Sequence, residues 1–372
     1  MNAGRSGTIG LAEELEQERR NLEERCPPYA RALALLPAVL DGPLGRALGA
    51  AWEHRQFHAY YDRPLLLLAA VRADVRREGP SHPLYEAFRD RDPRPEAVTE
   101  EALAAALDPA RDAVYDAFIK RGVQTNDTSR ALAWRWPAAL AGAARPLALA
   151  DVGASAGLNL VADALPAPWR LPDGTPLEVS GPVHAVARLG LDPEPLDAGR
   201  AEDADWLRAC VWPGDVARQE RLEAALQAFA AARPRPDAPV LVPILARNVP
   251  AKLDRLSSSE PGALVLAYQT LVRDYVAPEE RAEYEEGMRE WLGTHPPGSA
   301  LWVELETAGD VAVRDEGCAL VAHVRAPSGE VRDLELATCG YHPEVIRPDP
   351  AAVAELRALL AATREDRLST LP

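Results

Sequence analysis

The chain has 372 residues and 47% hydrophobic content, enough for a globular core and long for a single one. Its formal net charge of −16 and pI near 5.0 argue against bulk electrostatic binding of nucleic acid or of an anionic membrane. The most apolar run, residues 65–71, is far below the roughly 18 residues a membrane span needs, and no secretory signal opens the chain, so a cytoplasmic protein is expected.

Cys26, Cys210, Cys318 and Cys339 lack the paired spacing of metal or redox motifs and are expected as reduced, buried thiols. The front of the chain has helical texture. Leu11, Leu15 and Leu22, with Glu and Arg between, predict an amphipathic helix over 11–26 that Pro27-Pro28 stops. Further helices are expected over 31–40, 44–58, 64–77, 84–88, 100–107 and 110–121, with no strand pattern before Pro146. His54 and His58, four apart, could share a helical face for a metal, but no third ligand is adjacent and a plain polar face accounts for them. The polar stretch 122–130 follows. Asn126, Asp127, Thr128 and Ser129 are capping residue types ahead of a helix over 131–141. This stretch reads either as a helix cap or as a loop bringing Gln124, Asn126, Asp127 and Arg130 to a ligand, with Arg130 as a two-pronged carboxylate clamp.

After Pro146 the texture changes. Leu147 to Val152 is a short apolar run that predicts a buried strand, and 158–164 predicts a helix. Between them stand Gly153, Ser155 and Gly157 at alternate positions, a tight turn of the kind that brings backbone N–H groups to a ligand. Asp151-x-Gly-x-x-x-Gly resembles the first motif of class I S-adenosylmethionine-dependent methyltransferases, with Ser155 where a middle glycine is usual. Strands are then expected over 183–189, 240–246, 263–268 and 300–306. Helices are expected over 202–211, 216–232, 250–256 and 278–292, with a small hairpin at Asp173-Gly174. A hairpin of 319–325 and 331–337 and a helix over 351–363 close the chain. The expectation is an α/β fold: a doubly wound, mostly parallel sheet, class I methyltransferase-like with its terminal antiparallel hairpin, preceded by an all-helical N-terminal domain. The expected boundaries are a helical domain or cap over 1–140, a Rossmann-like domain over 141–345, and a helix and tail over 346–372.

Several stretches together resemble a bacterial family catalogued as domain of unknown function 2332. They are Gln124-Thr-Asn126, the glycine string from Asp151 to Leu160, Gly190-Leu-Asp-Pro-Glu-Pro-Leu-Asp197, Asp205-Trp-Leu-Arg-Ala-Cys-Val-Trp-Pro213 and Arg221-Leu-Glu-Ala-Ala-Leu226. The likeness spans most of the chain from about Gly122 to the terminal hairpin, and the helical front more thinly. The chain departs from the family at Asn248, where Asp is common, and at Ala267-Tyr-Gln269, where a His-rich strand end is common.

In a methyltransferase the cofactor carries the reactive group, and the protein binds and orients it. Asp151, Gly153, Ser155, Gly157 and Asn159 would form the turn for S-adenosylmethionine. Asp192 would take the ribose hydroxyls and Asn248 the adenine edge, while Tyr268 and Gln269 line the reaction site. Tyr268 and Asp127 are the catalytic candidates, for a small-molecule substrate. Asp192 and Asp197 read equally as turn residues beside Pro193 and Pro195. Trp134, Trp136, Trp206 and Trp212 read as core and domain-contact residues rather than as a base-stacking platform. Two alternatives stand beside this. Gly153-x-Ser155-x-Gly157 also spells the nucleophile elbow of α/β-hydrolases, with Asp310 or Asp315 and His342 as later partners. The other is a non-catalytic Rossmann-like protein that binds a ligand or a partner. The oligomeric state is left open.

Overall fold

The computed structural model describes residues 10–142, 145–179, 183–307 and 317–369. The chain divides into two compact units, Met1–Thr125 with Arg200–Glu220, and Asn126–Gly199 with Arg221–Pro372.

In the first unit every described element is helical. Helix Asp62–Glu78 buries Leu66 to Val71 without a break, so the most apolar run of the sequence is a core helix segment. No single helix among the described residues is long and apolar enough to cross a membrane. Helix Ala201–Cys210 belongs to this unit. Arg121 Nη1 meets Asp203 Oδ1 at 2.6 Å, and Trp206 Nε1 donates to Gly122 O at 2.9 Å. The helix expected to reach His58 stops at Trp52, where Glu53 N and Arg55 N bond three residues back, to Ala50 O and Trp52 O, and the Arg55 guanidinium meets the carbonyls of Phe118 and Arg121. His54 and His58 therefore share no helical face.

The second unit is built on one mixed sheet. Its strands are β1 (Leu147–Val152), β2 (Ala185–Asp192), β3 (Val240–Pro243), β4 (Leu264–Thr270), β5 (Ala300–Thr307), β6 (Cys318–Arg325), β7 (Val331–Cys339) and β8 (Ile346–Pro348). Their order is β3-β2-β1-β4-β5-β6-β7-β8. The pairings from β3 to β5 are parallel and those from β5 to β8 antiparallel. The protein is thus α/β with a mostly parallel eight-stranded sheet.

Helices cover both faces, which is why β1 is buried at all of its positions and reads as a continuous apolar run. Leu147 and Leu149 face Trp134 of helix Leu132–Ala141 and Leu356 of helix Pro350–Ser369. Ala148, Ala150 and Val152 face Leu253 of helix Val249–Ser259 and Met288 of helix Pro278–Thr294.

Two local expectations are corrected. β2 runs to Asp192 rather than 189, pairing Leu191 with Val152, and Gly190 leaves room for Leu241, whose Cδ2 would lie 2.4 Å from an added Cβ. The segment Leu158–Ala164 is a 3-10 helix. Distant side chains take the carbonyls an α-helix would use: Trp134 Nε1 on Asn159 O, Arg188 on Leu160 O and Arg135 on Ala162 O. β8 has no counterpart in the expected elements. All four cysteines are free and buried.

Candidate functional site

From β1 the chain crosses to β2 on one side, and β4 lies on the other. Open α/β sheets take their ligands outside the carboxyl ends of the strands at such a reversal of order. The residues gathered there are Asp151 and the glycine turn after β1, Asp192 ending β2, and Tyr268 to Val272 ending β4.

Gly153, Ser155 and Gly157 have φ of 75°, 51° and 71°. Left-handed residues at alternate positions curl successive N–H groups into a concavity suited to negative charge. Here the N–H groups of Gly153 and Ala154 reach Leu191 O at 2.7 and 3.3 Å, and Ser155 N donates to Asp192 Oδ2 at 2.8 Å. Asp192 Oδ1 accepts from Glu194 N at 2.8 Å. Its carboxylate therefore closes the turn, and each oxygen keeps a second lone pair for a ligand hydroxyl. Glycine carries a left-handed φ without strain; Ser155 does not.

The Ser155 hydroxyl accepts from Asn126 Nδ2 at 2.8 Å. The next residue, Asp127, caps the following 3-10 turn, accepting from Ser129 N at 3.0 Å. Its carboxylate also lies 2.9 Å from His342 Nδ1 and 3.4 Å from Arg221. Arg130 is buried and donates Nε to Tyr341 O at 3.1 Å. The polar stretch is thus a cap and a neighbour of the glycine turn at once. Gln124 falls in the first unit.

Beneath the turn lie Asp151 and Tyr268, direct neighbours in register on one face of the sheet. They are 3% and 0% exposed. The phenol stands close to the carboxyl group, yet Asp151 Oδ2 and the Tyr268 hydroxyl are buried without an aligned hydrogen-bond partner. Burial, reinforced by Asp192 and opposed by the phenol, pushes Asp151 up to about 8. It therefore holds its proton at neutral pH. Asn159 Oδ1 and Ser129 Oγ, in 3-10 segments packed on each other, are also buried without a partner.

Past β4, Leu271 has φ of 55°. The following turn is held by Glu306 of β5, which accepts from Gln269 Nε2 and Val272 N at 2.9 Å each and from Arg273 N at 3.4 Å. Gln269 is itself fully buried, accepting from Tyr284 Oη at 2.6 Å and Trp302 Nε1 at 3.2 Å. Burial pushes Glu306 up to about 7. The Val272 side chain lies over Gly153, with Cγ2 2.5 Å from where a Cβ would stand. Asn248 follows β3 with an exposed amide that makes no side-chain hydrogen bond among the described residues.

Among the described residues only Asp92, Ser155 and Leu271 combine a side chain with positive φ. Two of the three stand just beyond adjacent parallel strands, and residues held at a cost of about 1–3 kcal/mol each concentrate at functional sites. Sequence reading missed Leu271, which has no local signal. It missed Glu306 too, although that residue ends its strand much as Asp151 ends β1. Among the described residues no strand precedes β1, and no histidine hydrogen-bonds Ser155. Asp310 and Asp315 lie outside the described residues.

Over residues 13–347 the chain matches the family described as "Uncharacterized protein conserved in bacteria (DUF2332)", and it belongs to that family. No curated protein and no solved structure matches it.

Proposed function

We propose that this member of the family is an S-adenosylmethionine-dependent methyltransferase of class I architecture, acting on a small molecule and carrying an all-helical N-terminal domain before its Rossmann-like core. The observation that carries the reading is the pair of strained ends. Ser155 after β1 and Leu271 after β4 face the crevice where the strand order reverses, and Asp192 of β2 closes the glycine turn from the other side of β1.

The residues fit the cofactor. Asp192 keeps lone pairs for two hydroxyls, and Asn248 offers a donor and an acceptor to a base edge. The orphaned Asp151 Oδ2 suits an ammonium group, whose approach would favour the ionised carboxylate. When bound, the group supplies an activated methyl. The protein's own task is to hold its partner in line and exclude water. Asn126 fixes the Ser155 hydroxyl at the rim, and Glu306 holds Val272 over Gly153.

Thermal unfolding with S-adenosylmethionine, S-adenosylhomocysteine and NAD tests the reading. A ligand at about 100 times its Kd adds roughly 2.7 kcal/mol. Stabilisation by either adenosyl compound and not by NAD is expected. Stabilisation by NAD alone would replace the reading with a dinucleotide-binding one, and covalent labelling of Ser155 by a fluorophosphonate would replace it with a hydrolase.

A further inference from the structure

At the opposite, amino edge of the sheet is a cavity of about 280 Å³, beside Leu147 and Leu264, the first residues of β1 and β4. Among the described residues its polar lining is Arg135, Arg145, Arg235, His184 and one carboxylate, Asp163. The other described residues of the wall are glycine and aliphatic side chains. Such a lining is unexpected in a chain of net charge −16.

The carboxylate acts on Arg135 through space, without an ion pair. Asp163 is gripped fork to fork by Arg188, at 2.8 and 2.7 Å. Arg235 has its own partner, Asp237, at 3.0 and 2.7 Å. Arg135 is different. Its Nη1 donates to Ala162 O and Leu165 O at 3.0 and 3.1 Å, and its guanidinium lies 5.1 Å from the Trp169 ring centroid. Among the described residues no carboxylate comes within ion-pair distance of it. The two carbonyls and the ring fix the plane of the guanidinium, and Nε and Nη2 are left without a partner among the described residues. Burial weighs against the charged form and outweighs the more distant Asp163, which favours it. A fixed, half-buried cation at a cavity wall is what a planar or phosphate-like anion binds.

We propose that this cavity is a binding site for a small organic anion, with a carboxylate or phosphate head on Arg135 and a short apolar body against the aliphatic wall. The site is independent of the crevice at the carboxyl edge.

Calorimetric titration of the full chain with sodium phosphate, acetate and butyrate, at ionic strength held constant with sodium chloride, tests it. Saturable binding of at least one probe is expected. Butyrate at least threefold tighter than acetate would identify the carboxylate with its chain, and phosphate tighter than both would identify the phosphate head. Arg135→Gln, which removes the charge, and Ala138→Phe, which fills the cavity and keeps the charge, should each weaken binding at least tenfold. Arg20→Gln, in the first unit, should leave it unchanged. If Arg135→Gln fails to fold, Ala138→Phe decides alone. Heats that follow ionic strength only, or equal affinity in the wild type and the cavity variants, would overturn the proposal.

Discussion

Asp151 is a buried acid that no cation meets among the described residues, and it lies just below the glycine turn. Its folded pKa of about 8 lies above the ordinary carboxylate value, so the folded state keeps a proton that the unfolded chain releases. Stability linked to this group is fully present below about pH 4 and declines as pH rises towards 8. Asp151→Asn removes that decline. Urea unfolding should find the variant close to the wild type at pH 4 and more stable by on the order of 5 kcal/mol at pH 8. An unchanged difference across that range would show that Asp151 is ionised and partnered in the fold. The neighbouring glycine gives a second residue-scale test. Gly153 combines φ of 75° with Val272 Cγ2 at 2.5 Å from an added Cβ. Gly153→Ala should therefore cost more than about 1 kcal/mol, well above the usual effect of exposing a methyl. Ser155→Gly relieves a left-handed φ while losing the Asn126 bond, so the two terms, each about 1 kcal/mol, should nearly cancel.

At the scale of elements, β5, β6 and β7 are stapled by an ionic chain that runs from buried Glu304 through buried His323 to exposed Asp333. His323 Nε2 meets Glu304 at 2.8 Å and Nδ1 meets Asp333 at 2.7 Å, with Trp302 stacked on the imidazole at 4.3 Å. Burial opposes the charged ring, but the two carboxylates outweigh it and raise the His323 pKa. The stability this adds is fully present below about pH 6.5 and is lost as pH rises through the folded value. His323→Gln should cost about 3 kcal/mol at pH 6 and less at pH 9. An equal cost at both would mean the ring packs as a neutral group. Elements of this kind were unevenly legible in the sequence. β1 and its turn stood out because a strand buried on both faces is apolar throughout and must end on a residue that can leave the sheet. The 3-10 geometry of Leu158–Ala164 was not readable, since Trp134, Arg135 and Arg188 impose it from elsewhere. The periodicity of Ala201–Cys210 shows a helix but not which core it joins. Nor does any pattern mark Leu271 as strained, because Glu306 creates that turn from the neighbouring strand.

At the scale of the whole molecule, a net charge of −16 makes self-repulsion a general destabilising term, weakened by salt. Thermal midpoints should therefore rise between about 10 and 150 mM sodium chloride, over which the Debye length falls from about 30 to 8 Å. A falling midpoint would mean that the ion-pair networks outweigh the repulsion. On the proposed function, the carboxyl edge between β2, β1 and β4 holds an adenosyl cofactor through Asp192. Calorimetric titration of S-adenosylhomocysteine into the wild type and into Asp192→Asn tests it most directly. The variant retains a side-chain oxygen for Ser155 N but loses the charge and an acceptor. Saturable binding, weakened at least tenfold (about 1.4 kcal/mol) in a variant that still unfolds in one cooperative transition, its midpoint lowered by the lost Glu194 N bond, is the predicted result. Absence of binding to the wild type, or equal affinity in both proteins, would contradict it.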